Sequence, residues 1–295
     1  MHYLIASAGL FFILSPRPLA VTTQRPIQVA ILDFGSSQLA KTVAQEFRTA
    51  LPKFDGVRLV DPDLSMSAAR GAGYSGSLNL SLAEARDLGA SMDADFYLLG
   101  DAQTLRRSSF SKPVYYQTYL TIFVVSTRTG SLVKWDRIET QSDSAANSER
   151  QLFQLLESRQ TVRTAHVAIQ SAVVREIAER QQDLGGNAPL INEAPNDEKI
   201  AGEQGLRLPR PYRRLRPAYT ESAAGAEVEA TVDVVVDIGA DGEVQHIQVA
   251  RWAGFGLDES TVDTVRQLHF FPAMRNGTPI PMRVLLRYNF RKPPQ

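Results

Sequence analysis

The nine residues from Met282 to Phe290 alternate between two kinds of side chain, and this alternation is the strongest constraint on the fold. Successive side chains of a β-strand point to opposite faces of the sheet. One face of this segment carries Met282, Val284, Leu286, Tyr288 and Phe290, and the other carries Arg283, Leu285, Arg287 and Asn289. The pattern predicts a strand of an antiparallel sheet that covers a core with one face only.

The preceding residues complete a small folding unit. Between residues 227 and 237, valine and alanine alternate with polar residues, except at Val235, which predicts another one-sided strand. Asp241-Gly242 and Asn276-Gly277 are typical of tight turns. Between them we expect a helix that is capped by Asp258, with Leu257 and Val262 as a hydrophobic staple. The predicted order is strand, strand, helix, strand.

This region resembles the TonB C-terminal domain family over about residues 210–292. Four stretches carry the resemblance, and they are Pro217–Ala223, Asp241–Val244, Gly256–Glu259 and Phe271–Ile280. The resemblance implies a periplasmic module that grips a short extended peptide of an envelope or outer-membrane protein, as in TonB-dependent transport. It also implies a ββαβ domain built on an antiparallel sheet.

Residue by residue, the resemblance implies a docking edge along the last strand and an adjoining segment before the first strand. The implied partner-binding residues are Arg283, Val284, Leu285, Leu286, Arg287, Tyr288, Asn289, Arg216, Pro217 and Tyr219. The family's usual Gln-Pro-x-Tyr-Pro reads Arg216-Pro217-Ala218-Tyr219-Thr220 here. Because the first and last positions differ, the family's partner preference does not transfer to this chain.

An exposed edge strand suits such a role physically, because its unpaired N–H and C=O groups accept a further strand of almost any sequence. A handful of bonds worth about 0.5–1.5 kcal/mol each, less the ordering of the peptide, predicts roughly micromolar to millimolar affinity. The alternative is a structural scaffold subunit of an envelope complex, in which the same edge serves self-association into a homodimer.

The first half of the chain predicts a layered α/β domain over residues 27–182, in which a mixed sheet packs with helices. An apolar strand from Ile27 is followed by an amphipathic helix, a capping box at Ser81 and Glu84, a long hairpin from Tyr115, and one long helix after Ser148. Residues 27–139 resemble, more loosely, the TolB amino-terminal and curli-secretion-type periplasmic domains. The overall prediction is an α+β protein of two domains.

The remaining segments are predicted to be a leader and a linker. The apolar run Leu4–Leu14 followed by Ala20 predicts a secretory signal peptide over residues 1–20 and hence a periplasmic protein, with an uncleaved inner-membrane anchor as the alternative. Residues 183–216 are predicted to form a Pro/Arg-rich linker, a flexible coil that spans about 30–35 Å. Membrane contact is expected to be indirect or through its five arginines, and the TonB-like domain is expected to cover residues 217–292.

Catalytic chemistry finds no support in the sequence. With 32 basic and 32 acidic residues the formal net charge is zero, which gives no global preference for nucleic acid. The chain lacks cysteine, and its four histidines show no metal-ligand spacing. Gly35-Ser36-Ser37 is interpreted as an ordinary helix cap, because the longer phosphate-binding pattern is absent. We therefore predict an exported binding protein without enzymatic activity, cofactor or metal.

Overall fold

The computed structural model describes residues 25–108, 113–183, 191–195, 201–202 and 205–292. A five-stranded mixed sheet organises the first half. Its strands are β1 (Ile27–Ile31), β2 (Val57–Leu59), β3 (Phe96–Arg107), β4 (Tyr115–Ser126) and β5 (Leu132–Ser142). They lie in the order β2-β1-β3-β4-β5, with β1 parallel to both its neighbours and the β3-β4-β5 meander antiparallel. The predicted mixed sheet with helices is confirmed.

Five helices accompany this sheet. They are α1 (Gln38–Ala50), α2 (Pro62–Gly71), α3 (Leu82–Ser91), α4 (Ala145–Glu157) and α5 (Gln160–Asp183), with a short 3₁₀ turn at Leu51–Lys53. The Ser37 hydroxyl accepts a hydrogen bond from the Ala40 N–H (3.0 Å), which confirms the predicted cap of α1. The capping box of α3 is also present, because the Ser81 N–H donates to Glu84 at 2.7 Å and the Glu84 N–H donates to Ser81 at 3.3 Å.

The single long helix predicted after Ser148 is wrong. The chain forms two helices, α4 and α5, and Arg159 between them has a φ of +55°. A left-handed residue interrupts the helical hydrogen-bond ladder, so the direction of the chain changes there. An apolar periodicity continues through such a break, and the sequence pattern alone therefore missed it.

The second half adds a four-stranded sheet and small ribbons. The strands are β6 (Asn192–Glu193), β7 (Leu206–Arg207), β8 (Arg210–Pro211), β9 (Ala230–Ile238), β10 (Val244–Arg251), β11 (Phe270–Phe271), β12 (Ala273–Arg275), β13 (Thr278–Ile280) and β14 (Met282–Phe290). The helices are α6 (Glu221–Ala226) and α7 (Leu257–Arg266). The larger sheet has the order β10-β9-β14-β6, with β9 antiparallel to both β10 and β14. Together with the first half, this gives the predicted α+β class.

Asp258 does not cap α7 as predicted. The capping position is Gly256, with a φ of +74°, and Asp258 lies inside the first turn. Its carboxylate turns back and accepts hydrogen bonds from the N–H groups of Ala253 and Gly254, both at 2.8 Å. Burial outweighs these bonds and raises the pKa of Asp258 from its ordinary 3.8 to about 6.

The described part of the segment predicted as a flexible linker is instead built into the second half. Strand β7 pairs with β12, and β8 pairs with β11. Leu206 and Ala201 are buried with Met282 and Ala273 in a small apolar cluster of their own. The expectation of a free coil is therefore wrong for these residues, because Ala201 and Leu206 pack against Ala273 and Met282.

Aromatic and amide side chains join the two halves. The Trp252 indole N–H donates to the Gly130 carbonyl at 2.9 Å, and its ring stacks on Phe123. The Asn79 side chain accepts from the Thr231 N–H (3.0 Å) and donates to the carbonyls of Thr231 (2.8 Å) and Trp252 (2.7 Å). One apolar cluster accordingly contains buried residues of both halves.

A tight approach of the backbone completes this junction. Gly254 has a φ of +73°, and a Cβ atom there would lie 2.6 Å from the Phe123 ring, so only glycine fits. Beside the junction lies a cleft of about 620 Å³, walled by β5, β10 and α7. The junction thus closes part of the space between the sheets and leaves a groove next to it.

The predicted signal peptide, residues 1–20, lies outside the described residues. Within the described ranges, no helix combines the length and the apolar character that crossing a bilayer requires.

Candidate functional site

Strand β14 has one fully paired side and one mostly open side. It pairs with β9 over its whole length, from Met282 opposite Ile238 to Phe290 opposite Ala230. On its other side, β6 pairs in parallel with Met282 and Arg283 only. From Val284 to Phe290, no strand of the described residues adjoins this side. Among the described residues the predicted edge is therefore present, and its first two residues are covered by a segment of the same chain.

The hydrogen bonds of the sheet identify which backbone groups face this open side. The Ala194 N–H donates to the Arg283 carbonyl at 2.9 Å, so the peptide groups of Arg283 point away from β9. Backbone groups alternate in direction along a strand, which places those of Leu285, Arg287 and Asn289 on the same outward side. Three alternate residues of β14 thus offer N–H and C=O groups to a further strand.

The inward-facing side chains agree with the prediction. Met282 and Phe290 are buried, and Val284, Leu286 and Tyr288 pack partly buried against the main apolar cluster. Burial raises the pKa of the Tyr288 hydroxyl. These residues hold β14 on the core, so their contribution to docking is to keep the strand in place.

The opposite face carries two arginine–aspartate pairs that sequence reasoning did not find. Arg283 donates two hydrogen bonds to Asp237 (2.6 and 2.8 Å), and Arg287 donates two to Asp233 (2.7 and 2.9 Å). Hydrogen bonding to these carboxylates raises the pKa of both guanidinium groups. The two aspartates, expected on a solvated face, are only 5% exposed. Bidentate geometry fixes the arginine side chains across the sheet.

A pairing signal for these residues was present in the sequence. In the observed antiparallel register, 283 faces 237 and 287 faces 233, so opposite charges meet twice. If β14 is assumed to pair with β9 in antiparallel fashion, aligning the two arginines with the two aspartates gives both pairs. What the sequence could not supply is the third partner, Arg251, whose Nε lies 3.6 Å from Asp233.

Between the two pairs, Leu285 presents an apolar side chain to solvent. It is 56% exposed and lies opposite Val235, the single interruption of the β9 pattern. Asn289 bonds to the Thr231 hydroxyl at 2.8 Å. The outer face beside the open edge is therefore a fixed row of two arginines with a leucine between them.

The segment Arg216–Tyr219 takes a structural role in this arrangement. The Tyr219 hydroxyl lies 2.8 Å from the Val228 carbonyl and 3.1 Å from the Ala223 carbonyl, and burial raises its pKa. The Ala218 carbonyl accepts a hydrogen bond from the Ser260 hydroxyl of α7. Arg216 is exposed and Pro217 half-buried. The structure thus ties Tyr219 to the start of β9 and does not bond it to β14.

Comparison with known proteins addresses the carboxy-terminal segment. Residues 216–291 match the family model described as Gram-negative bacterial TonB protein C-terminal. The predicted TonB C-terminal domain is thereby confirmed. Protein TonB of Klebsiella aerogenes is 31% identical over 81 residues, which is 28% of this chain and 33% of that protein. The chain therefore spans about a third of the length of this curated relative.

Two solved structures show partial likeness. The solution structure of the Pseudomonas aeruginosa TonB carboxy-terminal domain is 22% identical, with a TM-score of 0.26, over 30% of this chain and 89% of that one. The LpoB C-terminal domain from Salmonella enterica is 17% identical, with a TM-score of 0.29, over 42% of this chain and 88% of that one.

The family match fixes a general role for the segment. TonB-like domains are non-catalytic protein-interaction domains of the bacterial envelope. In the part of the chain that the structure describes, no group of three or more His, Asp or Glu side chains is arranged to hold a metal ion. The family match therefore supports a protein-interaction domain for residues 216–291.

Proposed function

We propose that the TonB C-terminal domain of this protein docks an extended peptide of an envelope or outer-membrane protein along β14, in the periplasm. The observation that carries the proposal is the open side of β14, where the peptide groups of Leu285, Arg287 and Asn289 face outward. A visiting segment adds one strand to the sheet and satisfies these groups.

The proposed footprint is short because β6 already occupies the start of the edge. Pairing at Met282 and Arg283 leaves the visiting strand about seven residues, from Val284 to Phe290. Since only three residues of β14 face outward in this stretch, about six main-chain hydrogen bonds are available at most. This number supports weak and reversible binding.

Side chains beside the edge give the proposal its chemistry. Leu285 offers an apolar contact, while Arg283 and Arg287 are held in place by Asp237 and Asp233. Alternate side chains of the docked strand lie over this face. A peptide with an apolar residue opposite Leu285 and an acidic or amide residue beside it fits best, because the arginine edges remain partly exposed.

The alternative function is that of a scaffold subunit in which the same edge pairs with its copy in a second chain. One observation favours it, namely that the apolar Leu285 is 56% exposed within the open stretch. A two-fold axis through that residue would bring two leucines into contact. Self-association and peptide capture then compete for the same backbone groups.

Two variants at one position test the docking edge. Leu285→Pro removes an outward N–H without removing a bond to β9, and Leu285→Ala removes only the side chain. The probe is a set of synthetic peptides from the amino-terminal segments of outer-membrane transporters, titrated while backbone amide shifts are followed. We expect Leu285→Pro to abolish binding and Leu285→Ala to weaken it.

The outcomes separate the two candidate functions. Shifts confined to β14 and its neighbours in the original chain support docking, whereas unchanged binding in Leu285→Pro contradicts it. Sedimentation velocity over a range of concentrations addresses the scaffold. If the original chain is a dimer that Leu285→Pro converts to a monomer, and if no peptide causes amide shifts, the edge serves self-association and not peptide docking.

A further inference from the structure

The two-stranded ribbon of β8 and β11 buries Phe270 on one face and leaves its other face exposed. Phe270 pairs with Pro211 and Phe271 with Arg210, and the Tyr212 N–H extends the ribbon by donating to the His269 carbonyl at 2.9 Å. Phe270 is buried in the main apolar cluster. Side chains alternate between faces, so Arg210, Tyr212, His269 and Phe271 share the outward face.

Two aromatic rings meet on this outward face. Tyr212 is 57% exposed and Phe271 58% exposed, and their ring centroids lie 4.3 Å apart in an edge-to-face arrangement. Aromatic side chains ordinarily bury most of their surface. Two neighbouring rings that remain in solvent mark a surface that meets something else.

Exposed arginines are frequent in the chain segment that contains Tyr212. Arg207, Arg210, Arg213, Arg214 and Arg216 are all exposed, and Arg275 lies on the adjoining β12. Neither residues 205–216 nor residues 264–292 contain an aspartate or glutamate. The Glu243 carboxylate reaches the ribbon from the β9–β10 hairpin and is engaged by His269 at 2.9 Å. Positive charge is thus concentrated here although the whole chain is neutral.

We propose that this surface binds the headgroup region of an anionic phospholipid bilayer. We define the aromatic-arginine patch as Tyr212, Phe271, Arg207, Arg210, Arg213, Arg214 and Arg216. Tyrosine and other aromatic rings favour the membrane–water interface, and clusters of four to eight basic residues bind anionic lipid surfaces. The patch combines both features, with Arg210, Tyr212 and Phe271 on the ribbon and the other arginines on the chain on either side of β8.

A lipid surface suits this patch better than a protein partner does. Protein–protein interfaces commonly pair opposite charges, which gives register and specificity. Every charged side chain of the patch is an arginine, and all five lie within residues 207–216, which suits a uniformly anionic surface. The inference is independent of the proposed docking edge, since β8 and β11 belong to a separate ribbon from β14.

Vesicle sedimentation with the full chain tests the proposal. The chain is mixed with phosphatidylglycerol–phosphatidylcholine vesicles and, separately, with pure phosphatidylcholine vesicles, at low and high salt. We expect binding to the anionic vesicles only, weakened by salt. Each basic residue near an anionic surface contributes roughly fivefold to the partition coefficient. Arg213→Glu/Arg214→Glu should therefore lower it by roughly 25-fold or more.

Matched variants distinguish the patch from net charge. Arg175→Glu/Arg180→Glu makes the same change in charge on the exposed face of α5, and we expect it to leave partitioning within about threefold of the original. Tyr212→Ser/Phe271→Ser should lower partitioning at low and high salt alike, because ring insertion does not depend on charge. Circular dichroism confirms that each variant is folded.

Three results would overturn the proposal. The first is equal loss of binding in the α5 variant and the patch variant, which reduces the effect to net charge. The second is the absence of binding to anionic vesicles. The third is binding of a DNA or RNA oligonucleotide that exceeds vesicle binding and is lost in Arg213→Glu/Arg214→Glu, which would assign the patch to nucleic acid.

Discussion

The four-stranded sheet of the second half has two edges that the chain treats differently. At the β10 edge, Asn79 bonds to the Thr231 backbone beyond the end of β10, Ser81 bridges to Arg251, and Trp252 packs on Phe123. At the β14 edge, β6 pairs with Met282 and Arg283 only, and the outward backbone groups of the following residues have no strand partner among the described residues. Hydrogen bonds from an amide side chain and stacked aromatic rings make the β10 edge a permanent junction. The outward backbone groups of the β14 edge, in contrast, suit a partner that binds and leaves.

Trp252 offers the strongest test of the closed edge. Trp252→Ala removes a fully buried ring and the hydrogen bond to the Gly130 carbonyl, so we expect the free energy of unfolding to fall by about 3–5 kcal/mol. Urea denaturation followed by circular dichroism measures it. Trp252→Phe keeps most of the packing and should lose less than half as much. Equal losses in the two variants would mean that the hydrogen bond, not the ring, closes this edge.

Asp258 makes the closed edge sensitive to pH. Its pKa in the folded chain, about 6, lies above its ordinary value of 3.8, so folding favours the protonated form. The stabilisation is complete below pH 4 and is lost as the pH rises through 6, by up to about 2–3 kcal/mol. We expect urea midpoints to fall over this range, and Asp258→Asn to flatten that fall. A midpoint that rises equally in both proteins would contradict the assignment.

The arginine–aspartate pairs sharpen the comparison at the open edge. Arg283→Ala leaves Asp237 buried without its bidentate partner, and we expect a loss of about 1–2 kcal/mol once solvent screening of the partly exposed arginine is allowed for. Arg287→Ala should destabilise the chain less, because Arg251 remains 3.6 Å from Asp233. Thermal unfolding of the two variants compares their losses of stability. A larger loss in Arg287→Ala would show that Arg251 does not stabilise Asp233.

The smallest expected effect concerns the strand that covers the start of the open edge. Ala194→Pro removes the N–H that bonds to the Arg283 carbonyl, so stability should fall by no more than about 1 kcal/mol. If β6 limits the docking footprint, peptide affinity in the titration described above should rise by roughly two- to fivefold. Ala194→Gly keeps the N–H and is the matched control. A decrease in affinity in Ala194→Pro would show that β6 supports docking.

Local patterns in the sequence predicted much of the fold. The alternation of Met282–Phe290, the Ser81 capping box and the Asp241-Gly242 turn each depend on residues close in the chain, and each is present in the structure. What the sequence missed depends on distant partners or on a single backbone angle. Arg159 breaks a helix through its positive φ, and Gly256, with a φ of +74°, takes the capping position that was predicted for Asp258.

The sequence predicted the strand of the candidate site, but it did not predict the segments and side chains that surround this strand. Residues 283–289 were placed on the correct element and faces, and whether they bind a partner stays a prediction. The pairing of β6 with Arg283 could not be foreseen, because two residues carry too little pattern to mark a strand. The burial of Asp233 and Asp237 follows from arginines some 50 residues away, which periodicity along one strand does not reveal.

The unbroken ladder between β14 and β9 has a mechanical consequence. All nine residues of β14 are in register with β9, and two guanidinium–carboxylate clamps cross the same pair of strands. A force along β14 would load these bonds in shear, all at once, whereas a peptide that docks as proposed would share only three outward residues with β14. Under tension the peptide would dissociate first, and the sheet would remain folded and able to bind again.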